Sequence, residues 1–288
     1  MTYSELLSLC LDRLKAAEIE EYESDSRLLF QYLLDADRSF MFMHGMDEVT
    51  NEQEEAILKA IEIRQKRVPL QHITGYQNFM GLEFKVSKDC LIPRFDTECL
   101  VEEAMLVCND GDKVLDVCTG SGCILISLMK YKNNLTGYGL DISDAALNIA
   151  RENAKLLGNC EEVLFTDALV KEPVFIQSDL FENITETDFD IIVSNPPYIR
   201  SDVIPGLMPE VKDHDPRLAL DGGEDGLVFY RKIVDEARNY LKKGGHLLVE
   251  IGNDQGDSVK DLFLTNGYME VRVVKDLSGN DRVVAGHL

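Results

Sequence analysis

The tetrapeptide Asn195-Pro196-Pro197-Tyr198, which ends the apolar run 190–194, is the strongest candidate for chemistry in this sequence. Each proline lacks a backbone N–H and fixes φ at about −65°, so a strand cannot continue through the pair. The chain must therefore leave its sheet as a stiff loop that holds an amide side chain, carbonyl oxygens and an aromatic ring in fixed relation. Such a loop can grip a planar, weakly nucleophilic amide or amine. A proline turn that only ends a strand is the alternative interpretation.

A glycine-bearing turn, Cys118-Thr119-Gly120-Ser121-Gly122, connects another apolar run to a predicted helix. Glycine in such a turn lets a ligand approach the backbone closely. Asp141 ends the next predicted strand, where a carboxylate commonly accepts the hydroxyls of an adenosine ribose. A dinucleotide fingerprint would need a third glycine where Leu125 stands, and the turn has no basic residue for a diphosphate. With Asp116 before it, the turn favours a cationic ligand such as S-adenosylmethionine, unless Asp116 only stabilises the turn.

The chain has 288 residues, 45% of them apolar, and a formal net charge of −23. This length suits one large domain and a small one. No apolar run is long enough to cross a membrane, and the N-terminus does not resemble a signal peptide, so we expect a soluble, cytoplasmic protein. The strong negative charge argues against binding nucleic acid through its phosphates.

The seven cysteines are scattered and show neither a CxxC pair nor histidines at zinc spacing: Cys10, Cys90, Cys99, Cys108, Cys118, Cys123 and Cys160. We expect reduced, mostly buried thiols and no structural metal. Arg64, Lys66 and Arg67 form one short basic cluster, and Lys242 with Lys243 forms another. We predict that both lie at helix ends, where the helix dipole alone explains them.

Residues 4–67 have helical periodicity and predict a small bundle. Its predicted apolar faces are Leu6, Leu7, Cys10 and Leu14, then Leu28, Leu29, Tyr32 and Leu33, and in a third helix Ala56, Ile57, Ala60 and Ile61. Thr50 and Gln53 fit a capping box at the start of that third helix. Residues 73–86 change to a pattern that predicts a hairpin joining two domains.

Short apolar runs then alternate with helical stretches. The predicted strands are 113–118, 137–141, 174–177, 190–194 and 245–251, and the predicted helices are 124–130, 145–157 and 226–241. This alternation is typical of an α/β fold with a doubly wound, mostly parallel sheet. Residues 269–275 and 282–286 predict a closing antiparallel hairpin.

Several longer motifs are similar to those of one protein family. They are the segments 91–98, 116–122, 141–143, 194–199, 218–230, 250–252 and 276–284. Through them the chain resembles, nearly end to end, the HemK-type methyltransferases that modify the glutamine of peptide chain release factors. Asn195–Tyr198 alone is shared with enzymes that methylate amino groups of DNA adenine or ribosomal RNA guanine. The Pro93–Glu98 segment and the helical N-terminal part make the resemblance specific.

The sequence departs from this family at a few places. Cys118 stands where the family usually has the first glycine of its turn, and Phe95 where proline is common. An apparent insertion near 159–173 leaves two candidates, Asp167 and Asp179, for the acidic residue beside adenine. We favour Asp179, because Ser178-Asp179-Leu180-Phe181 resembles the family's segment.

The resemblance implies a class I S-adenosylmethionine-dependent methyltransferase, with a Rossmann-like, doubly wound, mostly parallel seven-stranded sheet and a small N-terminal helical bundle. The implied domains are a bundle at 1–72 that recognises the substrate protein, a β-hairpin linker at 73–100 and a methyltransferase domain at 101–288. The implied reaction methylates the side-chain amide nitrogen, N5, of the glutamine in the Gly-Gly-Gln motif of class I release factors. S-adenosylhomocysteine would be the second product.

The resemblance also implies the roles of individual residues. Asn195 and the Pro196 carbonyl would accept the amide hydrogens of the substrate, beside Pro197, and Tyr198 would pack on the amide plane. The residues that would contact the cofactor are Asp116, Cys118, Thr119, Gly120, Ser121, Gly122, Asp141, Asp179, Leu180 and Asn195.

Arg94 and Glu98 would frame the substrate site, unless they belong to a structural ion-pair network. His214 is expected to be a loop residue and not a catalyst. The expected partners are class I release factors, without direct binding to nucleic acid or membrane, and the protein is expected to be a monomer. The bundle would contact the release factor or, alternatively, only stabilise the fold. The alternative functions are an amino-methyltransferase acting on adenine or guanine and a silent S-adenosylmethionine-binding partner protein.

Overall fold

A computed structural model gives the fold of residues 1–158 and 171–288. The chain divides into two compact units: the first contains Met1–Tyr76 and Met208–His214, and the second contains Gln77–Leu207 and Asp215–Leu288. The sequence pattern gave no sign that Met208–His214 groups with the N-terminal unit, and the domain boundaries at 72 and 100 stay a prediction. No helix in the described part of the chain has both the length and the apolarity of a membrane span.

The N-terminal part of the first unit is helical, as predicted. Its helices are α1 (Tyr3–Ala16), α2 (Tyr22–Leu34), α3 (Arg38–His44), α4 (Asn51–Arg64) and α5 (Leu70–Thr74). The capping box at α4 is confirmed: Gln53 N donates to Thr50 Oγ1 at 3.2 Å, and Thr50 N donates to Gln53 Oε1 at 2.9 Å. The predicted apolar face of α4 is buried except for Ala56, and the short helix α3 was not predicted.

The buried face of α2 differs from the predicted one. Leu29 and Phe30 are fully buried, whereas Leu33 is exposed. The reason is Asp25, which occupies the interior because Arg64 Nε donates to its Oδ2 at 2.7 Å. Burial raises the pKa of Asp25, and the hydrogen bond and charge of Arg64 oppose that shift. A pattern of apolar residues does not indicate where a charged residue is buried, so the predicted buried face of α2 was wrong.

Arg64 and Arg67, from the basic cluster at the end of α4, belong to an ion-pair network. The prediction that the helix dipole alone explains this cluster was therefore wrong. Arg64 is 6% exposed, and its second partner is Glu210, with NH1 2.9 Å from Oε1. Arg67 NH2 donates to Glu210 Oε2 at 2.9 Å, and Arg67 NH1 donates to the Glu18 carbonyl at 2.8 Å. Charged side chains are seldom buried unless they are paired. The network therefore ties Met208–His214 to the bundle.

The remaining elements follow the predicted alternation. The hairpin consists of β1 (Tyr76–Phe79) and β2 (Leu82–Lys85), and a 3₁₀ turn at Phe95–Thr97 leads into α6 (Glu98–Val107). The elements that follow are β3 (Lys113–Val117), α7 (Cys123–Tyr131), β4 (Thr136–Asp141), α8 (Asp144–Gly158), β5 (Val174–Gln177), β6 (Phe189–Ser194), α9 (Pro209–Lys212), α10 (Arg217–Leu220), α11 (Val228–Glu236), β7 (Leu241–Glu250), α12 (Gly256–Thr265), β8 (Met269–Lys275) and β9 (Asp281–His287).

Seven strands form one sheet in the order β5-β4-β3-β6-β7-β9-β8. Strands β3 to β7 pair in parallel, and β9 runs antiparallel between β7 and β8. Buried residues of α6, α7 and α8, such as Leu100, Leu125 and Leu157, form a core that includes β3 and β6 residues, and residues of α11 and α12, such as Tyr230 and Phe263, form a second core. The predicted doubly wound, mostly parallel α/β fold is confirmed.

One predicted boundary was wrong. Helix α11 ends at Glu236, a 3₁₀ turn at Ala237–Asn239 follows, and β7 already begins at Leu241. Leu241 pairs with Phe189 across an irregular register, which extends the strand beyond its apolar run. Lys242 and Lys243 therefore lie in β7 and not at a helix end.

Candidate active site

The carboxyl ends of β3, β4 and β6 meet at one edge of the sheet, because Val117 pairs with Leu140 on one side and with Ser194 on the other. A cavity of about 290 Å³ lies there, close to the lower end of the range of about 300–1,000 Å³ for small-molecule sites. Much of the predicted site lines it: Cys118, Thr119, Gly120, Ser121, Asp141, Asp179, Leu180, Asn195 and Pro197.

Asp141, the last residue of β4, holds the turn that follows β3. Its Oδ2 accepts a hydrogen bond from Gly120 N at 2.9 Å, and its Oδ1 accepts one from Ser143 N at 2.9 Å. Burial raises the pKa of Asp141, and these backbone bonds oppose that shift. Each carboxylate oxygen has a further lone pair, so Asp141 can also accept hydroxyl groups of a ligand.

Asp116 does not line the cavity. Its side chain is fully buried, and its Oδ2 accepts a hydrogen bond from Thr119 Oγ1 at 2.6 Å. Burial raises the pKa of Asp116 to about 7. This placement favours the turn-stabilising role over direct contact with a ligand. Gly122, which precedes α7 with a φ of 78°, is also absent from the lining.

The segment after β5 contributes the acidic residue that we favoured. Ser178 N donates to the Asp141 carbonyl at 2.9 Å, which brings Asp179 and Leu180 to the cavity beside the end of β4. The other candidate, Asp167, lies outside the described residues. Asp179 thus lines the cavity, and its role as the adenine-side acid stays a prediction.

Asn195 lies at the end of β6, where Ser194 Oγ donates to the Val117 carbonyl at 2.7 Å and fixes the strand end. Asn195 Nδ2 donates to Thr97 Oγ1 at 3.1 Å. With the nitrogen held in this way, Oδ1 is the group that remains for a ligand. Thr97 is 2% exposed and belongs to the Pro93–Glu98 segment, but the sequence gave no reason to assign it a role.

Tyr198 is held by a buried acid. Its hydroxyl donates to Glu250 Oε1 at 3.2 Å, and burial together with this neighbour raises the pKa of Tyr198. Glu250 is 1% exposed, and burial raises its pKa to about 7. Pro196 is buried and, like Tyr198, is not part of the cavity lining.

Backbone hydrogen bonds join the end of α10 and the segment that follows it to Ile199, the residue after the Asn195–Tyr198 loop. Ile199 N donates to the Leu220 carbonyl at 2.9 Å, and Gly222 N donates to the Ile199 carbonyl at 2.8 Å. A Cβ at Gly222 would lie 2.7 Å from Tyr198 Cα and 2.9 Å from the Pro197 carbonyl oxygen. Only glycine lets the two segments approach this closely.

Arg94 and Glu98 are not in the cavity lining. Arg94 forms an ion pair with Asp215, whose side chain is fully buried. Glu98 Oε1 accepts a hydrogen bond from Met80 N in the turn between β1 and β2, at 2.6 Å. These contacts favour the structural alternative for both residues.

The charged side chains that line the cavity are mainly carboxylates. Asp89, Asp141 and Asp179 face the cavity with Lys232. Cys90 is also in the lining, and burial raises the pKa of its thiol to about 11, so it is neutral at physiological pH. A cationic ligand suits this charge better than a phosphate does.

Comparison with known proteins agrees with this geometry. Residues 5–75 match the PrmC N-terminal domain model, and residues 108–275 match a methyltransferase domain model. A release factor glutamine methyltransferase of Thermodesulfovibrio yellowstonii is 41% identical over 241 residues, which are 82% of this chain and 82% of that protein. The chain belongs to the release factor glutamine methyltransferases.

A further relative of this methyltransferase, from Clostridium acetobutylicum, carries the same name and is 40% identical over 94% of this chain and 93% of its own length. A solved methyltransferase structure from Pyrococcus furiosus matches 83% of this chain and 98% of its own, with a TM-score of 0.52 and 18% identity. That structure shares the fold. The resemblance inferred from the motifs is confirmed.

Within this methyltransferase, Cys118 stands where the resemblance inferred from the motifs implies a glycine. Cys118 has a φ of 63°, in the left-handed region that residues other than glycine rarely adopt. Gly120 follows with a φ of 56°. Both residues thus adopt the left-handed backbone conformation that glycine favours, although the first of them is a cysteine.

Sequence reasoning missed several residues of the site. Those in the lining include Asp89, Cys90, Thr97, Ser143, Phe229 and Lys232, and Glu250 lies behind the lining as the partner of Tyr198. Thr97 and Glu250 stand in segments that carry the family resemblance, 91–98 and 250–252. That position was the available signal, because neither residue is conspicuous by type or spacing.

Proposed function

We propose that this protein transfers a methyl group from S-adenosylmethionine to the side-chain amide nitrogen, N5, of the glutamine in the Gly-Gly-Gln motif of class I peptide chain release factors, in the cytoplasm. Family membership supports the reaction. The observation that carries it in this chain is Asn195, whose Nδ2 is held by Thr97 at 3.1 Å, so that Oδ1 remains for a substrate amide beside a cavity of about 290 Å³.

The residues of the cavity fit the proposed cofactor. The acidic lining suits a ligand with an ammonium and a sulfonium group and no phosphate. Asp141 would accept the ribose hydroxyls, Thr119 to Ser121 would bind the methionine part, and Asp179 with Leu180 would contact adenine. When bound, S-adenosylmethionine supplies an electrophilic methyl group on a positively charged sulfur.

The substrate amide needs positioning because its nitrogen lone pair is delocalised into the carbonyl. Asn195 Oδ1 and the Pro196 carbonyl would each accept one amide hydrogen, which orients the nitrogen and increases its electron density. Orientation of reacting groups contributes roughly 7–11 kcal/mol in well-aligned systems. The same acceptors would stabilise positive charge that develops on nitrogen.

Methyl transfer gives a positively charged, N-methylated amide that must lose one N–H proton. A strong base is not required, because this cation is acidic enough to lose its proton to water and leave the neutral N-methyl amide. In agreement, no histidine of the described residues lines the cavity. His214 belongs to the Met208–His214 segment of the first unit. Tyr198, held by Glu250, would contribute its ring as a rigid wall for the amide.

The test is mass spectrometry of a recombinant class I release factor after incubation with the enzyme and S-adenosylmethionine. We expect one added methyl group on the glutamine of the Gly-Gly-Gln peptide, and none on a release factor whose glutamine is replaced by alanine. Asn195→Ala should reduce kcat by at least about 100-fold, the scale reported for loss of one preorganised polar group, while cofactor Kd changes less than about threefold. Undiminished turnover of Asn195→Ala would remove Asn195 from the site.

Methylation of adenine or guanine in nucleic acid is the second candidate, because the loop would also accept an exocyclic amino group. The net charge of −23 counts against it. Parallel incubations with ribosomal RNA and DNA distinguish the two functions, and methylation of nucleic acid alone would overturn the proposal.

A further inference from the structure

Glu250 is a buried acid next to the Asn195–Tyr198 loop that no step of the proposed reaction uses. Its Oε1 accepts the Tyr198 hydroxyl at 3.2 Å. Its Oε2 is buried and has no hydrogen-bond partner among residues 1–158 and 171–288. A buried carboxylate oxygen in this state is unfavourable, so its retention at a functional site calls for an explanation.

Thr97 connects this carboxyl group to Asn195. The Thr97 hydroxyl accepts from Asn195 Nδ2 at 3.1 Å. Thr97 also acts on the Glu250 carboxyl, whose pKa it lowers against the effect of burial. An amide NH₂ group can only donate, whereas a hydroxyl has one proton and two lone pairs. Thr97 therefore uses a lone pair for Asn195 and keeps its proton, for which the unpartnered Oε2 of Glu250 is the available acceptor.

We propose that Glu250 and Thr97 are positioning residues that determine the orientation of the Asn195 side-chain amide, that is, which of its oxygen and nitrogen faces the substrate. The inference rests on the proposed function and deepens it. The charged carboxylate takes the hydroxyl protons of Thr97 and Tyr198, so Thr97 can only accept from Asn195. The Asn195 nitrogen is then held at Thr97, and the oxygen is presented to the substrate. A reversed amide would set an NH₂ group against the NH₂ group of glutamine.

The arrangement makes turnover depend on the charge of Glu250. Burial raises the pKa of Glu250 to about 7, and Thr97, Arg282 and Tyr198 oppose that shift. The titratable and charged groups that act on Glu250 or contact it are Asp96, Cys123, Tyr198, Tyr230 and Arg282. A protonated Glu250 becomes a donor to Thr97, which releases the Thr97 proton to Asn195 Oδ1 and favours the reversed amide. We therefore expect kcat to fall as the pH decreases below about 7.

The test compares Thr97→Val, Thr97→Ser and Glu250→Gln in the full chain, with an exposed threonine, Thr265→Val, as the matched control. kcat and KM for a release factor, S-adenosylmethionine Kd and Tm are measured for each, and kcat is followed with pH. Thr97→Val should lose about 10- to 100-fold in kcat, while cofactor Kd changes less than about threefold. Thr97→Ser should keep kcat within about threefold of wild type, because serine retains the acceptor. Glu250→Gln should lose the decline of kcat below pH 7.

Three results would overturn the inference. The first is a Thr97→Val variant as active as Thr97→Ser, and the second is a Glu250→Gln variant whose kcat still falls below pH 7 as in the wild type. Equal loss of activity in Thr97→Val and Thr97→Ser, with lowered Tm in both, would also contradict it, because that pattern indicates a structural role. Failure of the wild-type enzyme to methylate any release factor would instead refute the proposed function, so the two failures are distinguishable.

Discussion

Cys118 combines a residue that prefers negative φ with a backbone φ of 63°. An L-residue in this region loses about 1–2 kcal/mol relative to its ordinary conformation, whereas glycine adopts it without strain. The family resemblance places glycine here, and the present chain keeps the conformation without it. The strain is tolerated because Asp141 holds Gly120 N at 2.9 Å and fixes the rest of the turn.

Glycine at position 118 should therefore give a more stable protein than alanine does, which reverses the usual order of these two residues. Both variants lose the thiol, but only glycine relieves the strained φ. We expect Cys118→Gly to be more stable than Cys118→Ala by about 1 kcal/mol in urea unfolding, whereas at an ordinary position alanine is favoured by roughly 0.5–1 kcal/mol. An alanine variant at least as stable as the glycine variant would show that the turn is not strained at this residue.

Residue types and spacing were sufficient to predict the groups that end strands. Asn195 and Asp141 were found because an asparagine before two prolines and an acid after a strand are conspicuous. Thr97 and Glu250 were not, because their importance comes from burial and from partners far away in the sequence. Asp116 and Arg94 were assigned to the ligand site from their position in motifs, and the structure instead gives them Thr119 and Asp215 as partners.

At the scale of elements, the segment 218–226 acts as a support for the Asn195–Tyr198 loop. Its closest approach is at Gly222, where an added Cβ would lie 2.7 Å from Tyr198 Cα. Backbone atoms cannot give way as a flexible side chain can. A larger residue at 222 must therefore displace the loop that holds the substrate amide.

Gly222→Ala should lower kcat by about 10-fold or more, because small displacements of positioning groups have large effects on rate. Gly206→Ala is the matched control, since an added Cβ at Gly206 meets no atom within 4 Å. Steady-state methylation of a release factor, with cofactor Kd measured alongside, checks the outcome. Equal activity of the two variants would contradict the supporting role of the segment.

The elements themselves were largely predictable, because parallel strands buried on both faces read as apolar runs and the helices between them as periodic stretches. The exceptions have physical causes. The face of α2 was misplaced because Asp25 is buried with Arg64, and the start of β7 was missed because Lys242 and Lys243 belong to it. In both places charged residues occupy positions where a pattern of apolar residues expects none.

At the scale of the whole molecule, the chain passes from the second unit to the first and back through Met208–His214. Residues 199–207 and 215–226, which flank this segment, include the support of the Asn195–Tyr198 loop. Glu210 fixes the segment to the bundle through Arg64 and Arg67, both at 2.9 Å. Sequence reasoning could not find this tie, because its partners are separated by more than a hundred residues.

Glu210→Gln should lower the free energy of unfolding by about 2 kcal/mol near neutral pH, because Arg64 and Arg67 lose a partly buried charged partner. Burial alone would raise the pKa of Glu210, but the hydrogen bonds and charges of the two arginines outweigh it, so the pKa lies below its usual value. A lowered acid pKa adds stability above the unfolded pKa, and that stability is lost as the pH falls through the folded value. The difference in the free energy of unfolding between wild type and Glu210→Gln, measured in urea, should therefore become smaller below about pH 4.

Asp213→Asn is the control, an exposed change in the same segment that should leave the free energy of unfolding within about 0.5 kcal/mol of wild type. A difference between wild type and Glu210→Gln that does not depend on pH would show that the arginines do not stabilise the charge of Glu210.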